Sequence, residues 1–205
     1  MKRLTVEWNF LSYWHISSGE SFGSTLDLVT RKDELGFPVL PGKTIKGLFR
    51  EAFHLMVDAG HIEQEKVNDI FGTADNLTLE EETTGNTGLA VFESAKIDQS
   101  IAAELVQLLQ KTDAFQREVV RQAWVEHFYR QISSTAIDSN TGIARPHTLR
   151  RIEVAIPMRL YSFILSPNEA EADFRQAAKL LRHVGLGRRR GLGRVHTKIV
   201  EVQDA

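Results

Sequence analysis

The stretch Phe37-Pro38-Val39-Leu40-Pro41-Gly42-Lys43-Thr44-Ile45-Lys46-Gly47-Leu48-Phe49-Arg50 constrains the chain most. A short apolar run meets a Pro-Gly break, which is strong turn punctuation. Ile45, Leu48, Phe49, Ala52, Phe53 and Met56 then recur at helical spacing and predict a helix with one apolar face, stopped at Gly60. Lys46, Arg50 and His54 stack four residues apart on the other face. The helix N-terminus offers unpaired N–H groups, so Lys43, Lys46 and the Gly42 backbone together would suit a phosphate.

The rest of the chain arranges itself around that helix. Leu4, Val6, Trp8 and Phe10 alternate with polar residues and predict a half-buried strand. Residues 61–87 are polar, acidic and turn-rich and read as a loop anchored at Phe71-Gly72. Residues 89–95 read as a buried strand. Two helical patterns follow near 99–111 and 114–132, the second capped by Asp113 and carrying Phe115, Val119, Trp124 and Phe128 at helical spacing. Thr135 to Ala144 reads as a turn between short strands, with Asp138 and Asn140 suited to an Asx-type turn, and Arg145 to Arg151 as a basic arm. Val154 to Leu165 reads as one strand. Ser166-Pro167-Asn168-Glu169 has the pattern of a capping box opening a helix to Val184, with Gly185 beyond its end. Val195 to Val202 is the last strand. With insertions near 14–43, 61–87 and 98–152 set aside, the order is strand, helix, strand, strand, helix, strand. That is the split βαβ order of an α+β, ferredoxin-like (RRM-like) core, in one domain over residues 1–205.

Composition bounds the chemistry. The formal net charge of the 205 residues is −2, so there is no global basic signature, but residues 143–194 are locally rich in arginine. The absence of cysteine removes disulfides, thiol nucleophiles and cysteine-based zinc sites, and fits a reducing compartment. No apolar run is long enough to cross a bilayer, and the first residues enter a strand pattern rather than a signal peptide, so a cytoplasmic protein without a membrane partner is expected.

The second functional signal is Gly185-Leu186-Gly187-Arg188-Arg189-Arg190-Gly191-Leu192-Gly193-Arg194. Its glycines free the backbone for close approach, and Arg188, Arg189, Arg190 and Arg194 supply forked donors for phosphates. It is neither a dinucleotide-binding fingerprint nor a Walker loop, because it follows a helix and lacks the Lys-Ser/Thr ending. The seven histidines show no zinc-helix spacing. Tyr13 and Trp14 beside His15 are candidates for stacking on bases.

Leu40-Pro41-Gly42-Lys43-Thr44-Ile45-Lys46-Gly47-Leu48-Phe49-Arg50, with the late Gly-Leu-Gly-Arg loop, resembles the RAMP superfamily of CRISPR proteins, and within it the repeating backbone subunit of type III (Csm/Cmr-type) interference complexes. The His15-Ile16-Ser17-Ser18-Gly19 loop, Phe71-Gly72 and the Ala136-Ile137-Asp138 to Thr141-Gly142 segment agree. The resemblance implies a palm-like core, a helical insertion and a β-hairpin thumb. It implies copies of the chain in a filament along a guide RNA, other CRISPR effector subunits beside them, and a complementary target RNA cut at regular intervals. It assigns guide-RNA binding to His15, Ser17, Lys43, Lys46, Arg50, Arg145, Arg188, Arg189, Arg190 and Arg194. It makes Asp27 the catalytic and metal-binding carboxylate, with Mg²⁺ or Mn²⁺ as cofactor; Asp27 stands six residues before Asp33, and Leu28-Val29 follow where the family has Asn-Pro.

Other readings stay open. The chain would also suit a non-catalytic RNA-binding filament subunit, or a metal-independent guide-processing endoribonuclease in which His15 works with a second histidine. A ferredoxin-like domain whose glycine loop binds a nucleotide is the reading outside RNA.

Overall fold

The computed structural model describes residues 1–19, 27–73 and 87–204. A four-stranded sheet organises the core, with strand order β2-β5-β1-β6 and antiparallel pairing throughout. Its strands are β1 (Lys2–Phe10), β2 (Val91–Phe92), β5 (Arg159–Ser166) and β6 (Val195–Asp204). Trp8 on β1 faces Leu160 on β5 and Thr197 on β6. The period-2 pattern of β1 sends Leu4, Val6, Trp8 and Phe10 to one face, where all four are buried. The Trp8 indole N–H finds its partner there in Ser162 Oγ, at 2.9 Å.

Two helices cover that face. Helix α1 (Gly42–Asp58) leads from β1 to β2, and α5 (Glu171–Leu180) leads from β5 to β6. The apolar stripe of α1 is buried as its spacing predicts, from Ile45 to Met56. Gly60, at φ 72°, closes its end, its N–H on Val57 O. Phe49, Phe53, Phe71, Phe92 and Phe174 form the middle of the core, with Phe53 at a centroid distance of 5.0 Å from both Phe71 and Phe174.

Several local expectations change in three dimensions. Residues 64–71 form a helix, α2 (Gln64–Phe71), because Val67, Ile70 and Phe71 have a core to enter; residues 74–86 of the expected loop lie outside the described residues. The strand expected over 89–95 shortens to Val91–Phe92 at the sheet edge. The single strand expected from 154 to 165 breaks at Ile156-Pro157-Met158 into β4 (Arg150–Ala155) and β5. Ser166 does not cap a helix: its hydroxyl donates to Pro167 O, a short 3₁₀ turn covers Asn168–Ala170, and α5 ends at Leu180. Gly185 is therefore not the residue that stops α5.

Between β2 and β5 the chain makes α3 (Gln99–Gln110), capped by Asp98, then α4 (Ala114–Phe128) and a hairpin of β3 (Tyr129–Ser134) with β4. Trp124 and Phe128 pack on Phe37, at ring-centroid distances of 5.2 and 5.5 Å. Phe115 and Val119, expected on the same inward stripe, are exposed. No helix among the described residues is long and apolar enough to cross a membrane.

Candidate nucleic-acid interface

Asp27 sits beside the hairpin. Its N–H donates to Arg151 O at 2.9 Å, and its carboxylate Oδ2 accepts the Arg151 N–H at 2.7 Å. The next residues continue alongside β4, with Glu153 N donating to Leu28 O at 3.0 Å. Asp27 is exposed, and Arg151, near the loop end of the β3–β4 ladder, holds both its backbone N–H and its carboxylate. Among the described residues no group of three or more His, Asp or Glu side chains stands where one cation would bridge them. A metal at Asp27 would therefore take fewer than three His, Asp or Glu ligands from these residues and keep waters in its other positions. That fits an ion such as Mg²⁺, which keeps several of its own waters.

His15 lies in the interior, 0% exposed. Its Nδ1 is 2.7 Å from Glu153 O, an acceptor only, so the proton is on Nδ1. Thr30 Oγ1 donates to the same carbonyl at 2.7 Å. The Glu153 side chain accepts the Thr30 N–H at 3.1 Å and pairs with Lys32 at 3.0 Å. Tyr129 donates to Gly36 O at 2.9 Å; burial first, then the charges of Glu153 and Asp33, push its phenol above its ordinary range. These bonds sew the hairpin base to the loops before α1. The ring of His15 is thus enclosed by its own chain instead of being offered to RNA, and Trp14 is likewise buried, its indole N–H on Ile156 O at 3.0 Å. Tyr13 is exposed, and so is Ser17, whose hydroxyl accepts the Gly19 N–H at 3.2 Å.

The motif that opens α1 divides into two kinds of residue. Gly42 is buried, and its N–H donates to Ser94 Oγ at 3.1 Å, so that first amide is already satisfied and does not face a ligand. Arg50 donates to Phe71 O and Gly72 O at 2.7 and 3.0 Å, tying the end of α2 to α1. Its Nη2 is thus engaged as a tether between the two helices. Lys43, Gly47 and Glu51, by contrast, form one outward row at i, i+4 spacing. Lys46, beside that row, has its ammonium pKa lowered by burial and then by the charge of Arg50. No ion pair among the described residues involves Lys43 or Lys46.

The glycine-arginine loop packs against the His15 loop by backbone. Leu186 N donates to His15 O at 3.0 Å and Gly193 N to Tyr13 O at 2.7 Å. A Cβ at Gly185 would stand 2.1 Å from His15 O, and one at Gly193 would stand 1.9 Å from Val184 O. These two glycines serve contact with the chain itself, not with a ligand. Between them Arg188–Arg190 form an exposed 3₁₀ turn, held between two left-handed glycines, Gly187 and Gly191. Arg188 and Arg189 line a cleft of about 330 Å³ with Leu48, Glu51 and Leu55 of α1, and Arg188 reaches Glu51 at 3.8 Å. The loop thus continues the Lys43–Gly47–Glu51 row. Arg145 is elsewhere, at the hairpin tip, paired with Asp138 at 3.3 Å; the Asp138 carboxylate accepts the N–H groups of Asn140 and Thr141, the expected Asx turn.

Arg175, Lys179 and Arg182 recur at helical spacing in the sequence, but the structure gives them different partners. Arg175 pairs with Glu171 at 2.9 Å and donates to Ile199 O at 3.2 Å, closing part of the β6 edge. Lys179 and Arg182 instead join His183, Arg194 and His196 around another cleft. The cue was present in the sequence, where Glu171 stands four residues before Arg175 and no acid stands near Lys179 or Arg182.

The chain belongs to the RAMP superfamily, whose family model matches residues 9–196. No curated protein matches it in sequence. A chain of the cryo-EM structure of the type III-B Cmr-beta complex bound to cognate target RNA has the same fold, with a TM-score of 0.65 at 13% identity over 96% of each chain. A chain of the apo state of Cmr-beta matches equally, with a TM-score of 0.65 at 13% identity over 97% of each.

Proposed function

We propose that this chain is a guide-RNA-binding backbone subunit of a type III CRISPR effector complex, and that it cleaves complementary target RNA through Asp27. The whole chain is read as one RAMP domain on a ferredoxin-like core, supported by the strand order β2-β5-β1-β6 with α1 and α5 on one face. The carrying observation is the surface of α1: Lys43 and Lys46 stand beside an outward-facing Gly47, where a helix would ordinarily carry a side chain, and the same face leads through Glu51 to the exposed Arg188–Arg190. Lys43, Lys46, Arg188, Arg189 and Arg190 are the phosphate contacts, and Ser17 and Arg145 lie further along the strand. His15 and Arg50 act by holding the loops that present those contacts. The β3–β4 hairpin is the thumb, and copies of the chain stack so that each thumb meets the guide–target duplex beside an Asp27.

Cleavage uses the target's own 2′-OH as nucleophile on the adjacent phosphate, breaking the bond to the 5′ oxygen. The hairpin imposes the in-line geometry. The products are a 2′,3′-cyclic phosphate and a 5′-hydroxyl, the 2′-OH proton passing to water and the leaving 5′ oxygen taking one from water. Asp27, held by the Arg151 backbone, would hold a hydrated Mg²⁺ or Mn²⁺, which would neutralise phosphate charge. A metal-independent reaction driven by His15 is disfavoured, because an enclosed imidazole cannot reach an RNA hydroxyl.

The test is the triple reversal Arg188→Glu, Arg189→Glu, Arg190→Glu. All three side chains are exposed, so the melting temperature should hold while guide RNA no longer copurifies. Normal RNA content in the purified variant would sink the phosphate reading of the loop. The wild type should show affinity falling linearly with salt on logarithmic axes.

A further inference from the structure

We propose that the cleft between the end of α5 and the start of β6 is a second site, binding a phosphate-bearing nucleotide, either free or within an RNA strand. The cleft has a volume of about 610 Å³, the size of a small-ligand site. Lys179, Arg182, His183, Arg194 and His196 line it, and no carboxylate does. None of these five is in an ion pair among the described residues. Their neighbours differ: Arg175 is paired with Glu171, and Arg188 with Glu51. Unopposed cationic groups in one concavity repel each other and raise the local potential, and a bound anion relieves both.

The frame is already rigid. Val184 N donates to Gly193 O at 2.8 Å and Val195 N to Arg182 O at 2.9 Å, so Arg182 and His183 are held on a strap against Arg194. Thr197, also on the cleft wall, is 2% exposed, and its hydroxyl has no hydrogen-bond partner. A buried hydroxyl left unpaired is costly, and an ordered water beneath the cleft floor would satisfy this one. Leu11, half exposed, and Ala178 give an apolar wall for a ribose or base. Arg182 and His183 also line the α1 cleft with Arg188 and Arg189, whereas Lys179, Arg194 and His196 line only this one, so the two clefts adjoin and a variant of the Arg188–Arg190 loop decides whether they act separately.

The experiment titrates ADP, and separately a short oligouridylate, into RNA-free full-length protein while following the ring NMR signals of His183 and His196. Saturable shifts of both signals are expected. They should weaken by at least about tenfold in Lys179→Ala/Arg182→Ala, two exposed positions whose loss leaves the thermal melt unchanged, as befits charge-assisted contacts to phosphate. The Arg188→Ala/Arg189→Ala/Arg190→Ala variant should keep the response, which separates this site from the guide track. A response to ADP makes a free nucleotide sufficient; a response to the oligonucleotide alone makes a strand phosphate the ligand. No shift with either probe, unchanged affinity in the double variant, or loss of the response in the loop variant would overturn the proposal.

Discussion

Gly47→Ala should make the protein more stable and a worse RNA binder. Gly47 sits inside α1, exposed, and a Cβ built there meets nothing within 4 Å. Glycine in an exposed helix interior costs about 1 kcal/mol relative to alanine, from backbone entropy alone. With no steric offset, alanine should return that amount and raise the melting temperature by about 2–4 °C for a chain of this size. If α1 is the RNA track, the bare backbone between Lys43 and Glu51 is where a phosphodiester comes closest. A methyl group there lifts the strand from Lys43 and Lys46. Loss of one charge-assisted contact is worth about 1.5–3 kcal/mol, or roughly tenfold or more in affinity. Thermal denaturation and fluorescence anisotropy with a labelled guide-length RNA read the two effects on one preparation. A stabilised variant with unchanged affinity would refute the track along α1. A destabilised variant would show that the helix face is covered in a way the exposed Gly47 surface does not allow.

Gly193→Ala should act in the opposite sense. With φ at 70° and a Cβ 1.9 Å from Val184 O, backbone strain and overpacking together should cost about 2–5 kcal/mol in urea unfolding; a loss under about 1 kcal/mol would count against the backbone contact. Acid should fray the start of α3. The Asp98 carboxyl is held below its ordinary range by the Ser100 hydroxyl and then the Ser100 N–H, so the cap is fully present above the ordinary aspartate pKa and is lost as pH falls through the lower folded value. Amide exchange in Gln99–Gln110 should accelerate at acid pH, and Asp98→Asn should abolish that pH dependence; an unchanged pH profile would refute the cap. Glu153→Gln removes the charge that meets Lys32, with 8% of the Glu153 side chain exposed, and should cost about 1–3 kcal/mol by urea denaturation, since Lys32 is left half-buried without its partner. No measurable loss would show that the ion pair does not hold the hairpin base.

The core was legible because its signals are periodic. The alternation of Leu4 to Phe10 and the helical stripe from Ile45 to Met56 each bury one face, and the structure buries those faces. Asp113 caps α4 through the Gln116 N–H, as its position before the helix implied. What sequence could not give was pairing over distance. His15 reads as a polar loop residue until Glu153, 138 positions later, closes over it. Gly185 reads as a helix stop until His15 O is found against it. Arg50 and Lys46 share a stripe, yet only the folding of residues 64–71 into α2 supplies the carbonyls that take one and leave the other. Phe115 and Val119 fit a core pattern but lie on an insertion that reaches past the core. Asp27 was selected by resemblance; its attachment to Arg151 comes from contact between segments 124 positions apart.

The most direct test of the central claim uses the assembled complex with its guide. Labelled complementary RNA is incubated with Mg²⁺, with the wild type and Asp27→Ala compared and binding measured in parallel. Evenly spaced cuts in the wild type that vanish in Asp27→Ala, at unchanged affinity, are the predicted result. Asp27→Ala cutting at the same positions and rate, or binding with no cuts in either form, would contradict catalysis by Asp27 and leave the chain an RNA-binding subunit alone.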